Sequence, residues 1–158
     1  MIAVDTNVLV YAHRVDSDWH DSASATVRSL AEGQLPWSIP WPCVHEFIAI
    51  VTHPRIYDPP SSSIQAIEQV DAWLSSPSVV LLGEARTHWD LLKRNVIGAK
   101  VKGALVHDAR IASICEGHGV ATFLTADRDF TRFPRLRTRN PLLDGPASER
   151  RPSAPDAY

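Results

Sequence analysis

Four carboxylates stand where a carboxylate is expensive: Asp5, Glu46, Asp108 and Asp127. Glu46 lies in Pro42-Cys-Val-His-Glu-Phe-Ile-Ala-Ile-Val51, a helix-like stretch that is apolar almost all round. Cys43 at i−3 and Ile50 at i+4 share its side, so that side is not expected to face water. Asp108 repeats the pattern in Ala104-Leu-Val-His-Asp-Ala-Arg-Ile-Ala-Ser-Ile114, where Leu105, Ile111 and Ala112 share its face. Asp is a poor helix-interior residue in any case. Asp5 and Asp127 each follow a short apolar run, Ile2-Ala-Val4 and Val120-Ala-Thr-Phe-Leu124. Singly, each acid has an ordinary explanation: Asp5 and Asp127 as caps, Glu46 and Asp108 as partners of an arginine such as Arg110. Together they are harder to explain, because burying unpaired charges costs on the order of several kcal/mol apiece. A shared divalent cation removes the cost, and oxygen donors without nitrogen or sulfur suit Mg²⁺ or Mn²⁺.

The elements that must hold these acids alternate in type. Residues 1–4 read as a buried strand that stops at Asp5-Thr6-Asn7. A helix is expected over 8–14, and a second, capped by Ser17 or Asp18, running to about Glu32 and closed by Gly33. Residues 36–39 make a brief strand, and Pro42 suits the first turn of a helix that stops before Pro54. Ile64, Ile67, Val70 and Leu74 space out as the inner stripe of an amphipathic helix. A strand over 79–82, a helix over 85–96, a basic turn over 98–103 and a helix over 104–116 follow. Strands over 120–124 and near 136–139 complete the pattern. No hairpin signal joins the strands, so the expected fold is α/β, three layers around a parallel sheet of four to five strands. Strand C-termini in such a sheet share one edge, where ligands bind, and Asp5 and Asp127 both fall there. Residues 1–143 form one domain on this reading. From Gly145 onward Pro146, Pro152 and Pro155 sit among small and charged residues, the composition of a flexible tail over 144–158.

Composition agrees with one domain. The chain has 158 residues, 44% hydrophobic and 22% charged, enough to bury a sizeable core. Its apolar stretches are far shorter than a membrane span needs, and no leader-like segment opens it, so it is expected in the cytoplasm. Cys43 and Cys115 sit in apolar runs and read as buried thiols. A net charge of −2 gives no general pull towards nucleic acid, but its distribution does. Arg128, Arg132, Arg135, Arg137 and Arg139 fall together against Asp129 alone, and Lys93, Arg94, Lys100 and Lys102 form a second basic stretch. His45 and His107 each precede one of the acids, which on a helix turns them about 100° away from it. They are expected outside the ligand set. Trp37 and Trp73 are expected in the core, whereas Trp19, Trp41 and Trp89 could stack on a base or an interface.

The opening Ile-Ala-Val-Asp-Thr-Asn-Val-Leu-Val-Tyr-Ala resembles the start of a PIN domain of the VapC type, the ribonuclease toxins of toxin–antitoxin pairs. Val-His-Glu-Phe matches the second acidic position of that family, His-Asp-Ala-Arg-Ile-Ala the third and Leu-Thr-Ala-Asp-Arg-Asp-Phe the fourth. The resemblance implies that Asp5, Glu46, Asp108 and Asp127 line one acidic pocket, with Asp5, Asp108 and Asp127 as the main metal ligands. It implies that the Thr6 hydroxyl orients the first carboxylate and makes Asp129 a candidate auxiliary ligand. Asn7 is assigned to the backbone turn. The implied activity is Mg²⁺- or Mn²⁺-dependent endoribonuclease action on tRNA or ribosomal RNA. The implied partners are a small antitoxin that covers the pocket and a second copy of the chain. A housekeeping RNA-processing nuclease would use the same residues. A non-catalytic RNA-binding or assembly module would not need its acids, and here all four are retained.

Overall fold

The computed structural model describes residues 1–143, so the expected tail over 144–158 lies outside the described residues. The apolar runs pair into one parallel sheet: β1 (Ile2–Val4), β2 (Trp37–Pro40), β3 (Val79–Leu82), β4 (Thr122–Leu124) and β5 (Thr138–Arg139). The strand order is β3-β2-β1-β4-β5, so β1 is central and Ile2 lies opposite both Trp37 and Thr122. Successive strands run outward from β1 to β3, and the chain then returns to place β4 on the other side of β1. That reversal opens a crevice between the ends of β1 and β4, the usual ligand position in an open parallel sheet.

Among the described residues six helices flank the sheet: α1 (Thr6–His13), α2 (His20–Glu32), α3 (Trp41–Val51), α4 (Ser63–Leu74), α5 (His88–Gly98) and α6 (Leu105–Gly117). α1 packs on α2 and α3, α3 on α4, and α5 on α6. The core is aromatic where the layers meet, with Trp37, Phe47, Phe123, Phe130 and Phe133 fully buried. Both cysteines are buried free thiols, and Trp19, Trp41 and Trp89 are exposed as expected. Among the described residues no helix is long and apolar enough to cross a membrane.

Three expectations need correction. The cap of α2 is Trp19 rather than Ser17 or Asp18, because Ser17 is spent on a turn: its hydroxyl accepts the Trp19 N–H and its carbonyl the His20 N–H. The inner face of α4 is Ala66, Val70 and Trp73, and Ile64, Ile67 and Leu74 are exposed. The large Trp73 ring meets Phe47 edge-on at 4.7 Å between centroids, and this contact sets the rotation of the helix. Residues Arg128–Arg132, for which nothing beyond a cap at Asp127 was expected, form a 3₁₀ helix.

The entry into β4 depends on one residue. At the end of α6 the Val120 N–H donates to the Cys115 carbonyl and the Gly119 N–H to the Glu116 carbonyl, a pair of bonds that needs a left-handed residue between them. Gly119 supplies it, at φ +65° and with open space where a Cβ would stand. Gly119→Ala should therefore lower stability by about 1 kcal/mol through backbone strain alone. Gly98→Ala, at the end of α5 with ordinary φ, should be neutral or stabilising. Urea unfolding of the two variants checks this, and equal effects would refute it.

Candidate active site

Asp5 is the fixed point of the site. It follows β1 directly, caps α1 and is 3% exposed. Its Oδ1 accepts the Thr6 N–H at 2.8 Å, and its Oδ2 accepts the Asn7 amide and the Thr125 hydroxyl, each at 2.6 Å. The Cys43 thiol stands 3.8 Å from Oδ1. Capping and facing the site are thus one role. Thr125, which sequence reasoning missed, also accepts the Asn7 amide and the Asp127 N–H, at 3.1 and 2.9 Å. One buried hydroxyl therefore joins the acid after β1 to the acid after β4. Asn7 does more than shape a turn, since its Oδ1 also accepts the Ala126 N–H at 3.1 Å.

Around Asp5 the structure brings the other expected acids to one cavity of about 250 Å³. Glu46 reaches it from α3, Asp108 from the first turn of α6 and Asp127 from the end of β4. The burial argument holds fully for Asp5 alone: Asp108 is half-buried, and Glu46 and Asp127 are open to solvent at the mouth. The Thr6 hydroxyl does not orient Asp5 but donates to Glu46 Oε2 at 2.6 Å, so Thr6 serves the first acid with its backbone and the second with its side chain. Asp129 does not line the cavity. Its N–H donates to Asp127 Oδ1 at 2.8 Å and its carboxylate accepts from Arg132 Nε at 3.1 Å, so it braces Asp127. Arg110 pairs with Glu84 rather than with Glu46 or Asp108, and His45 and His107 are exposed and outside the cavity wall.

Among the described residues no Lys, Arg or His lines the cavity; Val10, Tyr11, Ile50, Tyr57 and Phe130 complete its wall. The acids therefore act on one another without a counter-charge. Burial pushes the Asp5 carboxyl up to about 7; the Thr125 and Thr6 hydrogen bonds pull it back, and Glu46 and Asp127 add to the rise. Burial, then Asp127, Glu46 and Asp129, raise Asp108 to about 6. Burial first, then Asp5, also raises the Cys43 thiol. As the side chains stand, no three acid, His or Cys groups among the described residues are close enough to hold an ion. The donor chemistry nevertheless fits a hard divalent cation: carboxylate oxygens only, in excess, with their charge uncompensated.

These shifts have a sign. In the metal-free protein the native state keeps protons on Asp5 and Asp108 that the unfolded chain has already released above about pH 4. Stability should therefore fall as pH rises from about 4 to 7. Asp5→Asn should flatten that fall. Thermal melts in chelator across this range check it, and a parent protein whose stability rises with pH there would refute it.

Comparison with known proteins agrees with this geometry. The PIN domain family matches residues 2–136. Ribonuclease VapC43 of Mycobacterium tuberculosis is 37% identical over 142 residues, covering 90% of this chain and 96% of the relative. Among solved structures, VapBC2 from Rickettsia felis bound to a promoter DNA fragment aligns with a TM-score of 0.66 at 21% identity, covering 89% of this chain and 98% of its own. Mycobacterium tuberculosis VapC20, a sarcin-ricin loop cleaving toxin, aligns with a TM-score of 0.62 at 14% identity, covering 83% and 93%. The chain belongs to the PIN-domain family, among its VapC ribonucleases.

Proposed function

We infer that this protein is a divalent-metal-dependent endoribonuclease, the toxin of a toxin–antitoxin pair. One observation carries the reading: four carboxylates from four separate elements converge on a single cavity that no basic side chain lines among the described residues, in a chain of the VapC family. Asp5, Asp108 and Asp127 would hold Mg²⁺ or Mn²⁺. When bound, such a cation supplies water activation near neutral pH and charge neutralisation at the scissile phosphate. Asp5 is pre-set for this task, because three donors fix its orientation before any ligand arrives. Glu46 has one oxygen committed to Thr6, which leaves the other to accept a proton from an attacking water. No histidine pair stands at the cavity to activate a ribose hydroxyl, so water attack leaving a 5′-phosphate is the route these residues favour.

The substrate on this reading is a structured RNA, tRNA or ribosomal RNA, cut in a single-stranded loop where bases can splay. VapC20 is a sarcin-ricin loop cleaving toxin, which supports that class. The partner is a small antitoxin, in keeping with the VapBC2 pair, and an arginine from it would meet the uncompensated acids directly. We assign the protein to the cytoplasm as a homodimer.

Asp5→Asn tests the site. RNA cleavage should fall by more than about a hundredfold with the fold intact. The rise in melting temperature on adding Mn²⁺ should shrink, because stabilisation follows RT ln(1 + [L]/Kd). Full retention of both would remove Asp5 from the chemistry. The biological role is tested in cells: expression of the chain alone should arrest growth, and co-expression of its antitoxin should restore it. Harmless expression of an RNA-cleaving protein would leave the housekeeping nuclease in its place.

A further inference from the structure

The two basic stretches of the sequence meet. Arg94 and Asn95 of α5, with Gly98 and Ala99 at its end, face Arg132 and Arg135 across a cleft of about 220 Å³ that is separate from the acidic cavity. Arg94 is ion-paired with Glu116 of α6, whose other oxygen accepts the Asn95 amide at 3.1 Å. Arg132 donates its Nε to Asp129 at 3.1 Å. Arg135 is exposed and has no ion pair among the described residues. A guanidinium has five N–H donors in a planar fork, so each acid occupies one edge and leaves the rest available. The acids act as braces that hold the heads in place, which lowers the entropy lost when an anion is bound.

The backbone under these arginines is equally constrained. Phe133, between them, is 1% exposed and sits 6.2 Å from the Phe130 ring, which in turn meets Phe123 at 4.8 Å. Pro134 fixes the next φ. Three arginines against Glu116 and Asp129 leave one net positive charge, the match for a single phosphodiester rather than a polyphosphate. The cleft is also tied to the acids. The 3₁₀ helix is capped by Asp127, which lines the cavity, and ends at Arg132, which lines the cleft. Five residues at about 2.0 Å each put the two roughly 10 Å apart along it.

We propose that this cleft binds one backbone phosphate of the RNA strand, beside the phosphate that is cut. The assignment rests on the ribonuclease reading above and adds to it a site that positions the strand irrespective of base sequence.

The test is binding of a short single-stranded RNA to the full chain in EDTA, where no cleavage occurs, over a salt series. The double variant Arg132→Gln with Arg135→Gln should bind about tenfold more weakly. Its plot of log K against log salt should be shallower by about 0.7, the share of one phosphate contact on a single strand. Lysine at both positions should restore the slope. Unchanged affinity and slope in a double variant that melts like the parent overturns the proposal, as does a parent chain that binds no RNA. The ribonuclease reading is judged separately, by adding Mn²⁺ to the parent with tRNA and ribosomal RNA: no cleavage of either would refute that reading and leave the cleft to be decided by the slope.

Discussion

The fold is organised around keeping one carboxylate still. Asp5 sits at the end of the central strand, almost without solvent, and its charge is opposed by three other acids facing the same cavity. Left to itself, a carboxylate so placed would protonate or turn away. The three donors from Thr6, Asn7 and Thr125 prevent the turn, and they come from both sides of the crevice between β1 and β4. The strand order makes this possible, since only neighbours in the sheet can bring residues 5 to 7 and 125 to 127 within hydrogen-bond reach. The cost of assembling like charges is offset in part by these donors, one from the backbone and two from side chains.

Much of this was legible in the residues, though in part for the wrong reason. Asp5 and Asp127 were readable as strand-end acids because Ile2-Ala-Val4 and Val120–Leu124 are unambiguous apolar runs. Glu46 and Asp108 drew notice as charges buried on apolar helices, yet Glu46 is exposed and Asp108 only half-buried. What the apolar setting marked was the position of the helix against the sheet, with one charge turned towards the crevice. Thr125 escaped because a hydroxyl at a strand end has no spacing signal; only the adjacency of β1 and β4 reveals its three bonds. Asn7 escaped for the same reason.

The error at α4 has a different origin. Periodicity gave Ile64, Ile67 and Leu74 the inner face, but Trp73 and Ala66 occupy it. Trp73 is the largest apolar side chain of the helix, and its burial against Phe47 leaves the three aliphatic residues at the surface. The 3₁₀ helix after Asp127 was equally invisible, because its stability comes from Phe130 and Phe133 plugging into the core rather than from local propensity.

The central place of β1 also bears on when the site comes into being. A chain is made from N- to C-terminus, so Asp5 emerges about 120 residues ahead of its Thr125 donor and Asp127. Until β4 has docked, one edge of β1 lacks its partner, and the crevice has a single wall. At typical synthesis rates of about 5–20 residues per second, that interval lasts on the order of ten seconds. During that interval Asp5, Glu46 and Asp108 have been made without Thr125 and Asp127, so the topology of the sheet delays assembly of the four-acid cavity until β4 docks beside β1.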